Sequence, residues 1–312
     1  MLFAGTSARD IAKSLCTNCP ARHFPDEELL MYRDLNCRIS NSLWLELEAE
    51  RLRTGHSLSH IVQQKLASAF DLDHHTIFQV STSTAITKGL FKGCATIAEL
   101  KRHGDFGLGT FEDLDGEMIL FEGRAYQARA GGVVIEAPDT ALTPFATVTR
   151  FMPEHEVDLS GIRSQADLEE CLDGLRPSEN FFVGIRIDGR FDRIELRAAC
   201  KASPGEDLVA ATGHQSEFAI DDIEGTLVGF WSPGHARTMA ISGYHLHFIS
   251  KDQTRGGHLI GVAAQHLTAQ LHLETDFHVA VPETAEFLSA DLRDDPSGEL
   301  EIAEHGHARD RS

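Results

Sequence analysis

The sequence predicts an α+β fold built on mixed and antiparallel sheets, with a small helical module placed before it. Three observations lead there. From Thr76 onward the chain breaks into short β-rich runs separated by Gly and Asp. Helical stretches are few in that part, so strands must supply most of the framework. Between residues 31 and 72 the texture differs, with one short alternating run followed by two amphipathic segments.

At 312 residues the chain can bury a large core and exceeds the usual size of one compact domain. Hydrophobic residues make up 42% and charged residues 24%, which excludes a disordered chain. A formal charge of -20 argues against nucleic-acid binding over the whole surface and leaves room only for a local contact. An anionic substrate would need local cations or a metal. No apolar run is long enough to span a membrane, and MLFAGTSARD lacks the basic and apolar regions of an export signal, so a cytoplasmic protein is expected. The six cysteines are scattered, as reduced thiols are.

Taken in order, residues 1–30 read as a leader. Its Cys16 and Cys19 form a CxxC with His23 behind it, half of a zinc site that has no second half unless Cys37 serves. The plainer reading is two thiols. Residues 31–72 follow as a module. Leu35 to Ile39 alternate as a strand does, Ser40 or Ser42 can cap a helix carrying Leu43, Leu47 and Leu52, and Gly55 can end it. Ser57 then caps a second helix with Leu58, Ile61, Val62, Leu66 and Phe70 on one side. Strand, helix, turn and helix in this order resemble the ribbon-helix-helix fold. That resemblance implies a homodimer, and in DNA-binding members the ribbon side chains, here Asn36 and Arg38, enter a major groove. A helical hairpin docked on the rest of the chain is the alternative.

Residues 73–312 form the third segment. Strands are expected at Ile77 to Val80, Glu117 to Phe121, Ala125 to Arg129, Phe181 to Ile187 and Tyr244 to Ser250, with helices near Thr96 to Arg102 and Gln165 to Leu172. After Asp291 the composition is acidic and reads as disordered. The strongest local signal is Gly243-Tyr244-His245-Leu246-His247-Phe248. Residues two apart on a strand share a face, so His245 and His247 project together. Lys251 to Gly257 reads as a turn, and an antiparallel return brings His258 beside the pair. Three imidazoles on neighbouring strands make an open first-row metal site. The cupin pattern fails, because Met239 and Lys251 or Asp252 stand where it needs Gly and Glu.

GYHLHFISKDQTRGGH, HGDFGLGTFEDLDGEMILFEGRAYQ and GTLVGF together resemble the bacterial alpha-acetolactate decarboxylase family, from about Ile77 to Glu304. The resemblance implies a two-domain fold of sheets with Zn2+ in the cleft, held by His245, His247 and His258. It places other active-site residues at Thr110, Glu117, Arg197 and a C-terminal glutamate, Glu304, with Glu301 as the fallback. The sequence departs from the family after Arg197, where Ala198-Ala199-Cys200 replaces the usual proline. The implied reaction converts 2-acetolactate to acetoin and CO2 through a metal-stabilised enediolate. Arg197 would steady the oxyanion, Glu304 would protonate the enediolate and Glu117 would handle the hydroxyl proton, with the last two roles exchangeable. An acetolactate-sensing DNA-binding regulator is the alternative, and a lyase for a related hydroxy-keto acid is a third reading.

Overall fold

The computed structural model describes residues 36–55, 57–69, 75–153 and 155–305. The leader with Cys16, Cys19 and His23 lies outside them, as do Leu35 and Phe70.

Two helices open the described chain, α1 (Asn41–Thr54) and α2 (Leu58–Ala69). The Ser40 side chain caps α1 by accepting the Leu43 N–H at 3.2 Å. Gly55 ends the helix in the left-handed region, φ 77°, where a side chain is disfavoured. The strand expected from Leu35 to Ile39 is not formed by Asn36 to Ile39. A strand requires a partner edge, and none of the described strands pairs with this segment. The expected apolar side of α1 is also uncovered: it buries no residue, and Leu43, Trp44, Leu45 and Leu52 are exposed. Helix α2 buries Ile61 and Ala67 and exposes Leu66.

The strands follow in chain order. They are β1 (Thr76–Val80), β2 (Ala95–Thr96), β3 (Phe106–Thr110), β4 (Glu117–Phe121), β5 (Arg124–Ala128), β6 (Val134–Glu136) and β7 (Leu142–Thr143). Next come β8 (Ala146–Thr149), β9 (His155–Ile162), β10 (Phe182–Ala198), β11 (Ser216–Ser232), β12 (Gly243–Ser250), β13 (Gly256–Glu274) and β14 (Asp276–Ala280). Short helices interrupt them: α3 (Ser83–Thr87), α4 (Ile97–His103), α5 (Gln165–Asp173), α6 (Leu208–Thr212), α7 (Ala285–Ser289) and α8 (Ser297–His305). None of the described helices is long and apolar enough to cross a membrane.

The first sheet runs β14-β1-β8-β3-β4-β5-β6, antiparallel except where β1 meets β14. Its central strands are apolar on consecutive positions because both faces are covered. Phe78, Val80, Met118 and Leu120 pack on Ile97 and Leu100 of α4. Alternate residues Ile77, Phe106, Leu108 and Ile119 turn the other way, onto Val228 and Phe230 of β11 and Ile249 of β12.

In the second sheet the order is β10-β11-β12-β13-β9, and β10 also pairs with β13, so four strands close on themselves. Its core gathers Ile185, Phe191, Leu196, Leu246 and Phe248 with Leu168 and Leu172 of α5. Full burial of a side chain such as Phe191 or Phe248 contributes about 1.5–3 kcal/mol. Thr275 alone separates β13 from β14, and the His75 carbonyl accepts the Thr275 and Asp276 N–H groups at 3.0 and 2.9 Å. The chain thus crosses between sheets at one residue.

Composition misjudges the described part of the acidic segment after Asp291, residues 297–305. It forms α8, because Leu300 and Ala303 are buried against Ile86, Leu114, Phe145 and Leu208. Two apolar residues on one side, met by a ready apolar pocket, outweigh the acidic average.

Candidate metal centre

Three strands of the second sheet place its chemistry side by side. His247 of β12 stands opposite His258 of β13, and His258 stands opposite Arg197 of β10. His245 shares a strand face with His247, two positions away. The expected turn and antiparallel return are both present. Close approach of the strands depends on glycine: a Cβ at Gly257 would lie 2.7 Å from the Arg197 carbonyl, and one at Gly229 would collide with the His245 carbonyl.

Donor atoms of His245, His247 and His258 lie within 4.8 Å of one another, and all three residues are buried. The Nδ1–H of His247 donates to the Met118 carbonyl at 2.9 Å, which leaves the Nε2 lone pair facing the other rings. That Nε2 is buried and meets no hydrogen-bond partner among the described residues. Burial holds His245 and His247 down to about 3, with the positive charge of Arg197 adding to the effect at His245 and His245 itself adding at His247. Neutral imidazoles with converging lone pairs are the donor set a first-row ion requires, so the residues fit a metal.

The first sheet supplies the opposite wall. Thr110 and Glu117 are register partners across β3 and β4, so one strand pair carries both. Thr110 donates its hydroxyl to the Gly116 carbonyl at 2.9 Å. The Glu117 carboxylate lies 3.5 Å from His247 Nε2 and accepts the Ala199 N–H at 3.0 Å. Burial pushes its carboxyl up to about 7, against the pull of Arg197 and of that N–H. A lone pair facing a carboxylate at this distance is relieved by a cation between them or by a proton on Glu117.

Helix α8 closes the site. Glu304 Oε2 is 3.4 Å from His258 Nε2, 3.9 Å from His245 Nε2 and 3.2 Å from Arg197 Nη2. Arg197, only 4% exposed, also donates from Nη1 to the Ala303 carbonyl. Glu301 does not line the cavity, so the geometry favours Glu304 over the fallback. All seven expected residues gather here. Six of them line a cavity of about 60 Å³, and His247 sits behind, fully buried. Sequence reasoning missed Leu208, Thr212, Gln215 and Ile241, which line the same cavity. It also missed two backbone groups, the Met118 carbonyl and the Ala199 N–H, which have no side-chain signature. Within the departing Ala198-Ala199-Cys200 segment, Ala199 gives its N–H to Glu117.

A buried histidine triad that could hold a metal ion, with an arginine and two glutamates between two sheets, is the arrangement of an enzyme's candidate active site. The family model for alpha-acetolactate decarboxylase matches residues 77–294, more than half of the chain. The alpha-acetolactate decarboxylase of Methylococcus capsulatus is 40% identical over 233 residues, covering 74% of this chain and 90% of that protein. Its counterpart from Bacillus licheniformis is 34% identical over 244 residues, with 78% and 96% covered. Among solved structures, alpha-acetolactate decarboxylase from Bacillus subtilis strain 168 superposes with a TM-score of 0.71 at 34% identity, covering 73% of this chain and 99% of that one. The chain belongs to the alpha-acetolactate decarboxylase family and is an enzyme of that kind.

Proposed function

We propose that the protein converts 2-acetolactate to acetoin and CO2 at this centre, with His245, His247 and His258 as ligands of a zinc ion. When bound, the ion supplies a Lewis acid for the negative charge that develops as CO2 leaves. Arg197 carries five N–H donors, and its two bonds to α8 leave others for the substrate oxyanion. Glu304 delivers a proton to the enediolate carbon, and Glu117 takes and returns the hydroxyl proton from the opposite wall. Burial brings the Glu117 carboxyl up to about 7, so both its ionised and its protonated forms are at hand near neutral pH, as taking and returning a proton requires. Thr110, opposite Glu117, orients the same end of the substrate. Apolar walls at Ile86, Leu114 and Phe145 exclude water, so the nascent carbanion meets the placed acid first.

The carrying observation is the delivery of Glu304 by α8 to within hydrogen-bond reach of Arg197, beside the histidines. Purified protein should release CO2 from 2-acetolactate and lose that activity with a chelator. A zinc-loaded, folded protein without turnover would overturn the proposal.

For residues 36–69 we propose pairing with a second copy, in the manner of a ribbon-helix-helix module. The exposed apolar residues of α1 support it. Arg51 and Arg53 are bonded to Glu48 and Glu50, and Lys65 faces Glu50, which favours pairing over DNA contact through Asn36 and Arg38. Sedimentation of the full chain beside Leu45→Glu/Leu52→Glu tests this: an unchanged mass refutes it.

A further inference from the structure

Two polar residues in the wall of the catalytic cavity have no part in the proposed chemistry, Thr212 and Gln215. Thr212 is already committed. Its hydroxyl carries a single proton and donates within α6 to the Leu208 and Val209 carbonyls, at 2.9 and 3.2 Å. Gln215 is not committed: it is half-buried, and its side-chain amide makes no hydrogen bond among the described residues. The chain fixes its place from both sides. The Gln215 N–H donates to the Thr212 carbonyl at 3.3 Å, which closes the turn after α6. Ser216, the next residue, opens β11 as the register partner of Ala198, and one step beyond Ala198 stands Ala199, whose N–H holds Glu117. Leu208 and Ala211 of α6 pack with Leu300 and Ala303 of α8, so the contact that delivers Glu304 also steadies the segment carrying Gln215.

The substrate has three groups that bear oxygen. In the proposed reaction its ketone and hydroxyl oxygens fall to the ion, Arg197 and Glu117. The carboxylate remains, and it is the group that must leave. A cation bound to it would stabilise negative charge where the reaction has to remove it. A neutral N–H donor fixes the direction of the carboxylate with less stabilisation of the ground state. Thr110 cannot donate to it, because its hydroxyl proton goes to the Gly116 carbonyl. Gln215 has two N–H groups to give, and its partial exposure sets it where the cavity meets solvent, a side by which CO2 can depart.

We propose that Gln215 is the residue that binds the substrate carboxylate, donating from Nε2, and that this bond separates the acid substrate from its uncharged product. The inference rests on the decarboxylase reading and adds to it the group that recognises the carboxylate. Once CO2 has gone, Gln215 has no acceptor left, and the hydroxyketone is held by one bond fewer than the acid was.

The variants are Gln215→Met, which keeps the length and loses the amide, and Gln215→Glu, which puts a negative charge in its place. The binding probe is 2,3-dihydroxy-2-methylbutanoate, the substrate with its ketone reduced so that CO2 cannot be lost. Butane-2,3-diol, the same molecule without the carboxylate, is its counterpart. Both are followed by ligand-observed NMR on the full chain loaded with zinc. Gln215→Met should bind the acid roughly tenfold more weakly than the wild type and the diol equally well. Gln215→Glu should weaken the acid by roughly a hundredfold or more, through like charge. With 2-acetolactate as substrate, the loss in Gln215→Met should fall on KM, roughly tenfold, with kcat within about threefold. Equal weakening of acid and diol would mark a structural role and overturn the proposal. Unchanged acid binding in Gln215→Met, a loss confined to kcat, or a wild type that does not bind the acid would each do the same. A wild type that binds the acid through Gln215 yet releases no CO2 from 2-acetolactate refutes the decarboxylase reading and upholds the carboxylate site. Normal turnover with unaltered acid binding in both variants refutes the site alone.

Discussion

Replacing Glu304 by glutamine removes one proton-carrying oxygen and almost nothing else. The side chain keeps its length, and its amide oxygen can still accept the bond that Arg197 Nη2 makes to Glu304 at 3.2 Å. Arg197 stays cationic and still donates, so what is lost in stability is the opposite charge on its acceptor, about 1 kcal/mol. With the Glu304 side chain 17% exposed, solvent trims that further. For a domain of this size the melting temperature should fall by about 2–4 °C at most. Catalysis should suffer far more, because a placed general acid contributes about 10²–10⁴ in rate. The assay is acetoin formation from 2-acetolactate at saturating substrate, with zinc content measured on the same samples. Glu301→Gln is the control, since Glu301 lies outside the cavity. If Glu304→Gln keeps its zinc and turns over within threefold of the wild type, Glu304 is not the proton donor. Equal collapse of Glu117→Gln would be expected under either assignment of the two glutamates. The order of their effects on proton delivery is read from solvent deuterium incorporated into acetoin.

Other outcomes follow from the same geometry. His247→Ala should abolish stoichiometric zinc binding, because one of three ligands goes and the Met118 carbonyl loses its partner; metal analysis of the purified variant checks it. Leu300→Ala removes the main apolar anchor of α8. Its cost, about 2–5 kcal/mol in a fixed core, is felt first as local undocking, so turnover should drop sharply while amide exchange rises over residues 297–304 before the rest. Gly229→Ala places a Cβ against the His245 carbonyl and should destabilise the second sheet by about 1–3 kcal/mol or more, visible as a lower urea midpoint with an unchanged slope.

Much of the candidate metal centre is legible because strand periodicity is a covalent fact. His245 and His247 share a face wherever a strand forms, and a turn followed by His258 can close only beside them. The partner across the cleft is less visible, since Thr110 and Glu117 meet through register that no single strand encodes. β10 shows another limit. Asp188-Gly189-Arg190 looks like a turn after Ile187, yet the strand runs on to Ala198 because β11 and β13 bond both its edges. Glu304 was named only through the family resemblance, because the helix that carries it was hidden for a different reason. Helix α8 has little intrinsic amphipathic pattern, and its stability comes from the pocket formed by Ile86, Leu114 and Leu208, which are far away in sequence. Backbone donors such as the Ala199 N–H leave no trace at all.

The single-residue crossing at Thr275 has a consequence for how the molecule is assembled. β1 stands near the start of the described chain, yet its parallel neighbour β14 is made some two hundred residues later, after the whole second sheet. Contacts so distant along the chain form slowly, because loop closure must be met before pairing repays it. The first sheet therefore waits, one edge open, until the second is complete. Splitting the chain between the sheets should give fragments that do not fold separately, since β14 travels with the wrong half. Catalytic competence depends on the same distant ends, since α8 brings Glu304 to Arg197 Nη2 from more than a hundred residues away.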